Sequence, residues 1–390
     1  MPPQIKLRTV LGAAVDREVL VWIAGVGWDA VPGTDHRIVA ELANRYQIVW
    51  VDPPGRRDAN GWWRRVPPAV EQVDEAVVRL RSPAPRGAAR WPIILLSRAI
   101  QGATVRRNTG PIAAVVVANP MWRFPAALPG VRVLYATDDW ISGATLMGLP
   151  RAGVARELTA NVRAADAIAT VTPTLLDVLV DLGARDRVRT AVIPNGAPTI
   201  PETSERRRSV AGLVGHINER LDLSCLEAIV DAGVQLELIG PRSDRDPQFR
   251  ARLERLLRRD EVEWTGRVDY SEVVLWLSRM GVGVTPYADS TFNACSFPLK
   301  TLEYLAGGAA VVSTDLPAAR WLDCGDITIA AHGRAFGAAV RDRIDSLARE
   351  DGQDESRRRE FASHHSWANR AADLSALIGA VQAAPAGRFS

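Results

Sequence analysis

Short apolar runs alternate with amphipathic stretches along most of the chain. In the first half Val19–Ala24, Gln47–Val51, Val77–Leu80, Pro111–Ala118, Val131–Ala136 and Ala167–Val171 read as buried strands, since polar residues hardly interrupt them. Helical spacing falls between them, over Asp35–Asn44, Pro92–Asn108, Val154–Ala165 and Thr174–Leu182. The second half repeats the plan. Ser209–Val214, Gln235–Ile239, Val262–Trp264, Val282–Val284 and Ala309–Ser313 are strand-like; Asp222–Ala232, Pro247–Arg259, Ser271–Arg279 and Leu299–Ala306 are helix-like. Such alternation predicts an α/β protein built on parallel sheets with helices on both faces.

Between the halves, Ile193–Arg208 is rich in proline, polar residues and charge, the composition of a linker. We therefore expect two Rossmann-like domains facing across a cleft. The first spans 1–196, a linker 197–208, the second 209–365, and a C-terminal helix and tail over 366–390 crosses back to the first domain. Ligands of such sheets bind beyond the carboxyl ends of the strands.

Composition narrows the class. The 390 residues carry 48 Lys+Arg against 45 Asp+Glu, a net +3, with 47% hydrophobic and 24% charged residues. That is an ordinary globular balance, and its charge is too small to imply nucleic acid. Cys225, Cys295 and Cys324 lie far apart, which fits a reducing compartment, and the five histidines show no ligand spacing, so no metal is expected. The N-terminus lacks an apolar signal core and no run approaches ~18 apolar residues, so a cytoplasmic location is expected. Residues 53–110 hold eleven arginines against four acidic residues, with Trp62, Trp63 and Trp91 among them. This suits peripheral contact with the inner face of an anionic membrane, or a solvated arginine face over core tryptophans.

Two turns invite a ligand. Gly25-Val26-Gly27-Trp28-Asp29-Ala30 fits the dinucleotide fingerprint, with Asp52 ending the next strand, but Pro32-Gly33-Thr34 delays the helix to about Asp35. No nicotinamide or flavin cofactor is therefore expected. The stretch Thr285–Asp315 runs strand, loop, helix, Gly-Gly stop, strand. Ser296 and Pro298 stand where its helix begins, Ser296 as a plausible cap, and free N–H groups there attract phosphate. Lys300 lies in the first turn, with Glu303 three residues on. The pair suits a sugar nucleotide, lysine for diphosphate and carboxylate for ribose; the same spacing also describes a plain i,i+3 surface pair. Only Lys6 and Lys300 are lysines, against 46 arginines, a skew that codon bias explains.

Pro298-Leu299-Lys300-x-x-Glu303-Tyr304-Leu305-Ala306-x-Gly308 followed by Val311-Val312-Ser313-Thr314 resembles the donor signature of GT-B glycosyltransferases. The nearest groups are the bacterial teichuronic acid and surface polysaccharide enzymes and the xanthan glucuronosyltransferase. Ala165-Asp166 with Val171-Thr172-Pro173, Ile193-Pro194-Asn195-Gly196, Gly212-Leu213-Val214-Gly215 with Arg220 and Asp222, and His365-Ser366-Trp367 match further family elements in order. The resemblance implies a nucleotide-sugar donor in the second domain. Lys300 and Arg220 would neutralise the diphosphate, Glu303 would hold the ribose, and the Gly215-His216 turn would lie against phosphates or sugar. Many retaining members carry a second glutamate eight residues before Glu303; Cys295 stands there, which leaves stereochemistry open and favours inversion weakly.

On the acceptor side, a strand ends in Asp138-Asp139, and the xanthan enzyme places its catalytic aspartate in a similar element. One of the two is the candidate base and the other a turn cap, or both are solvated loop carboxylates. The Gly25, Gly27 and Trp28 turn would approach acceptor or donor phosphates, with His36 at the helix start as cleft contact or cap neighbour. The expected function is transfer of a sugar from a UDP, GDP or dTDP donor to a hydroxyl acceptor, metal-independent. A sugar-nucleotide epimerase and a silent nucleotide-binding subunit are the alternatives.

Overall fold

A computed structural model of the chain describes residues 17–53, 56–57, 63–64, 69–83, 93–126, 128–203 and 205–384. Trp62 and Trp91, with Arg65, Arg86 and Arg90 of the arginine-rich stretch, lie outside these residues. The chain divides into two compact units, Met1–Pro194 with Trp367–Ser390, and Asn195–Ser366.

The first unit follows the order β1 (Val19–Ala24), α1 (Thr34–Leu42), β2 (Gln47–Val51), β3 (Arg56–Arg57), β4 (Trp63–Arg64), β5 (Ala69–Asp74), β6 (Val77–Arg81), α2 (Ile93–Asn108), β7 (Ile112–Ala118), β8 (Val131–Ala136), α3 (Arg151–Ala164), β9 (Ala167–Thr170), α4 (Pro173–Asp181) and β10 (Arg189–Val192). Eight strands form one sheet, β10-β9-β8-β7-β1-β2-β6-β5, parallel except for β5, which pairs antiparallel with β6 at the edge. The central strands are buried from end to end, as their unbroken apolar runs require. After β6 the chain returns to lay β7 on the far side of β1, so the topological switch lies between β1 and β7.

The second unit runs β11 (Arg208–Val214), α5 (Leu223–Asp231), β12 (Gln235–Ile239), α6 (Pro247–Leu256), β13 (Val262–Gly266), α7 (Tyr270–Arg279), β14 (Met280–Thr285), α8 (Thr291–Cys295), α9 (Leu299–Ala306), β15 (Ala310–Ser313), α10 (Pro317–Leu322), β16 (Ile327–Ile329), α11 (Arg334–Ser346) and α12 (Gly352–His364). Its six strands are all parallel, in the order β13-β12-β11-β14-β15-β16, and the switch falls between β11 and β14. Helix α13 (Trp367–Gln382) belongs to the first unit, packed on α1 and on the β8–β10 side of the sheet. No helix among the described residues is long and apolar enough to cross a membrane.

The segment read as a linker is fastened to the second unit. Ala197 N–H donates to the His365 carbonyl at 2.7 Å, and the buried Arg207 donates to the Met280 carbonyl at 2.9 Å and to Glu355 at 2.8 Å. Strands β5, β10 and β16 and helices α10 to α12 extend the elements expected from periodicity. Helix α12 shows why it was hidden: its buried residues are Arg358 and Ala362, so ion pairs rather than an apolar stripe dock it. Arg358 meets Asp326 at 2.9 Å and Glu350 at 2.5 Å.

Candidate functional site

At the switch point of the second unit, β11 and β12 end in two glycines with positive φ, Gly215 at 144° and Gly240 at 137°. A Cβ on Gly240 would stand 1.9 Å from the Gly215 carbonyl oxygen, so the strand ends approach as closely as they do only because that atom is missing. Above Gly215 the space is open as far as Lys300, whose Cε would lie 3.8 Å from an added Cβ.

Lys300 is brought there by Tyr304, one turn along α9. The tyrosine ring occupies the place of a side chain on Gly283 of β14, where a Cβ would come within 2.3 Å of it. Its hydroxyl accepts the Val214 N–H at 2.9 Å, pinning the helix to the end of β11. Lys300, Glu303 and Tyr304 share one helical face. Lys300 Nζ donates to Glu303 Oε2 at 2.6 Å, and the Glu303 side chain is fully buried. Burial distinguishes this pair from the surface pair its spacing also allowed.

The expected cap at Ser296 is not made. Helix α9 starts at Leu299 with Pro298 in the cap position and no side-chain cap, while Ser296 Oγ donates to the Phe292 carbonyl at 2.8 Å. A serine that reaches back four residues closes the preceding helix instead of opening the next. Cys295 is buried in that short helix α8.

Arg220 is clamped from α8 and the loop before it. Its guanidinium lies over the rings of Phe292, 4.7 Å from the centroid, and Tyr287, at 5.2 Å. Asn293 Oδ1 accepts its Nε–H at 3.1 Å, and Asn293 Nδ2 donates to the Arg220 carbonyl at 3.0 Å. Among the described residues the terminal amino groups of Arg220 have no hydrogen-bonding partner. His216 hydrogen-bonds Ser243 Oγ through Nδ1 at 3.2 Å. Desolvation and the charges of Arg220, Lys300 and Arg267 hold its imidazole below the usual range, which marks an electropositive pocket of surface.

In the first unit the two aspartates at the end of β8 part company. Asp139 is buried and its Oδ1 accepts the N–H groups of Ile141 and Ser142, both at 3.1 Å, so it caps the following turn. Asp138 is half-buried and raises, through its charge, the carboxyl of Asp35. Burial is the main cause, and it carries Asp35 to about 7 despite an N–H donated by Gly25 at 3.4 Å. Asp35, in the first turn of α1, was not singled out from the sequence because an acidic residue there reads as a dipole partner.

The fingerprint-like turn is occupied by its own structure. Asp52 accepts from Trp28 N–H at 3.0 Å, Trp50 Nε1 at 2.9 Å and Arg79 Nε at 2.8 Å, and Arg79 also grips Asp29 at 2.7 Å. His36 is buried against Trp28 and Trp50, its Nε2 at 3.0 Å from the Trp28 carbonyl, and burial lowers its pKa. It packs and props the turn. Gly25 faces the Ala118 carbonyl, 2.8 Å from an added Cβ, and Gly27 is open, with only Asp52 Oδ2 at 4.0 Å.

One cluster had no signal in the sequence spacing. His332, before α11, comes to Asp222 and Cys225 from 110 and 107 positions away.

With this geometry in view, residues 211–348 match the family described as Glycosyl transferases group 1. The chain is 35% identical over 115 residues to a Bacillus subtilis (strain 168) protein bearing the name teichuronic acid biosynthesis glycosyltransferase TuaH. That stretch is 29% of this chain and 28% of TuaH, so less than a third of the relative's length is matched. Among solved structures, sucrose-phosphate synthase from Thermosynechococcus elongatus is similar over 94% of this chain and 100% of its own, at 16% identity and a TM-score of 0.71. The catalytic domain of Arabidopsis thaliana starch synthase IV, bound to ADP and acarbose, is similar over 94% and 99%, at 11% identity and a TM-score of 0.64. The chain thus folds as GT-B, matches the family Glycosyl transferases group 1 over residues 211–348 in its second unit, and resembles the glycosyltransferases of bacterial surface polysaccharides.

Proposed function

We propose that the protein transfers a glycosyl group from a nucleoside-diphosphate sugar to a hydroxyl acceptor. The observation that carries this reading is the assembly of Lys300, Arg220 and the buried Glu303 around Gly215, at the carboxyl end of β11 where a doubly wound sheet binds its ligand. The two cations stabilise the charge that grows on the departing diphosphate, and the glycine lets a phosphate approach the backbone. Glu303, fully buried, orients Lys300 toward the ligand. Positive charge at the leaving group comes from side chains, a metal-independent arrangement.

Asp138 is the base that takes the acceptor hydroxyl's proton; Asp139 is committed to its turn. A carboxylate on the acceptor side and Cys295 standing where many retaining relatives carry a glutamate support direct displacement with inversion. The acceptor class is a surface-polysaccharide intermediate borne on lipid. Leu95 and Leu96 are exposed at the start of α2 and Arg106 and Arg107 are exposed in its last turn, which suits an anionic membrane surface, whereas Arg98 is turned inward on the buried Glu157 at 2.7 Å. The test is release of nucleoside diphosphate with an acceptor present. Loss of release and of nucleotide affinity in Lys300→Ala supports the assignment; both surviving that change would refute it.

A further inference from the structure

The histidine brought to Asp222 and Cys225 builds a set of ligands beside the donor loop. Asp222 and Cys225 lie one helical turn apart at the start of α5, and His332 reaches them from the loop before α11. His332 Nδ1 is 2.6 Å from Asp222 Oδ2 and 3.9 Å from Cys225 Sγ, and Sγ is 3.7 Å from the same carboxylate oxygen. Bonds of ~2.0–2.3 Å meeting at a tetrahedral angle require ligand atoms ~3.3–3.6 Å apart. The two sulfur edges of the triangle are thus within a few tenths of an ångström of a tetrahedral face. Only the nitrogen–oxygen edge has to open, from a hydrogen bond to a pair of metal bonds.

The surroundings are those of ligands rather than of a bare ion pair. A ligating histidine ordinarily gives its other ring N–H to a carboxylate, and His332 Nε2 is 3.3 Å from Asp289 Oδ1. A ligating carboxylate is itself held, and Asp222 Oδ1 accepts the Ser224 N–H at 2.8 Å, leaving Oδ2 for the site. Cys225 is buried in the first turn of α5, with its Sγ turned toward Asp222 and His332. His332 and Asp222 keep 30% and 19% of their side chains exposed, which leaves an entry path and a fourth position for water.

We propose that Asp222, Cys225 and His332 form a binding site for a divalent transition metal of the zinc class, with Asp289 as the outer partner of the histidine. Thiolate, imidazole and carboxylate together favour zinc, or cobalt in its place, over magnesium or calcium. On binding, the sulfur–hydrogen bond of Cys225 breaks, its proton leaves to solvent and a metal–sulfur bond forms; any proton on His332 Nδ1 leaves likewise, while the Nε2–H stays on the ring and donates to Asp289. The metal would tie together three loops, after β11, after β14 and after β16, the first of which carries His216 and Arg220. This proposal stands apart from the transfer reaction, since it needs neither donor nor acceptor.

The experiment is titration of the full-length, chelator-treated protein with cobalt(II), followed by zinc(II) displacement and calorimetry. One equivalent of cobalt should give a thiolate-to-metal charge-transfer band with tetrahedral visible bands, and zinc should displace it. Cys225→Ser should abolish the charge-transfer band, His332→Gln should weaken binding at least 100-fold, and Asp289→Asn about 10-fold. His332→Gln lies in a partly exposed loop, so it remains informative if the buried cysteine variant fails to fold. Absence of the band in the wild-type protein, or equal cobalt affinity in wild type and His332→Gln, would overturn the site.

Discussion

Lys300 Nζ lies 2.6 Å from Glu303 Oε2, with the glutamate side chain fully buried and the lysine side chain 24% exposed. The pair is therefore asymmetric: the acid is locked, and the cation presents its remaining protons to a ligand. An ammonium has three donors and binds phosphate as a compact point charge, where a guanidinium needs a planar fork. In a chain that writes nearly every cation as arginine, that difference gives the lysine a physical purpose.

Removing the cation should take an ion-pair partner from the buried Glu303. Lys300→Met is expected to cost about 2–3 kcal/mol by denaturant midpoint, less than the ~3–5 kcal/mol of breaking a fully buried pair because the ammonium is part-exposed. Lys300→Arg should recover most of that stability and little of the nucleotide affinity. Equal recovery of both would mean that charge alone is read at this position.

The two glycines at the strand ends should respond differently. Gly240→Ala drives a methyl group into the Gly215 carbonyl and is expected to cost more than ~3 kcal/mol, measured as a lost or strongly lowered thermal transition. Gly215→Ala meets nothing closer than Lys300, so backbone strain of ~1–3 kcal/mol is its main cost. It should keep the fold and lose donor affinity.

Asp138→Asn and Asp139→Asn should separate chemistry from structure. The first is expected to lower kcat by ~10²–10⁴-fold with the melting temperature nearly unchanged. The second weakens a turn cap, at a cost of ~1 kcal/mol, with a smaller effect on turnover. Reversal of this pattern in paired kinetic and melting measurements would move the base to Asp139.

Much of this was legible in the sequence, and the unread parts have physical causes. Buried parallel strands such as VLVWIA and IAAVVVA announce themselves because both faces must be apolar. Lys300, Glu303 and Tyr304 were readable because helical spacing is local. What joins them to Gly215 was not: Tyr304 reaches Val214 across 90 positions, and His332 reaches Asp222 across 110. Helix α12 has no apolar stripe to read, being docked through Arg358. Ser296 misled because a serine before a helix and a serine after one look alike in sequence.

Asp35 should make stability depend on pH. Its carboxyl titrates at about 7 in the fold, above its ordinary range, so between roughly pH 4 and 7 the folded state binds more protons than the unfolded. The stabilisation present at low pH is then lost as pH rises through 7. Urea midpoints should therefore fall across this window in wild type and vary less in Asp35→Asn; identical slopes would contradict the assignment.

Calorimetric titration of the wild-type protein and Lys300→Ala with UDP, GDP and dTDP probes the nucleoside-diphosphate site around Lys300, Arg220 and Glu303. One of the three nucleotides is expected to bind the wild-type protein with one-to-one stoichiometry and Lys300→Ala at least tenfold more weakly. Failure of all three to bind, or equal affinity in the two proteins, would rule out a donor site at these residues.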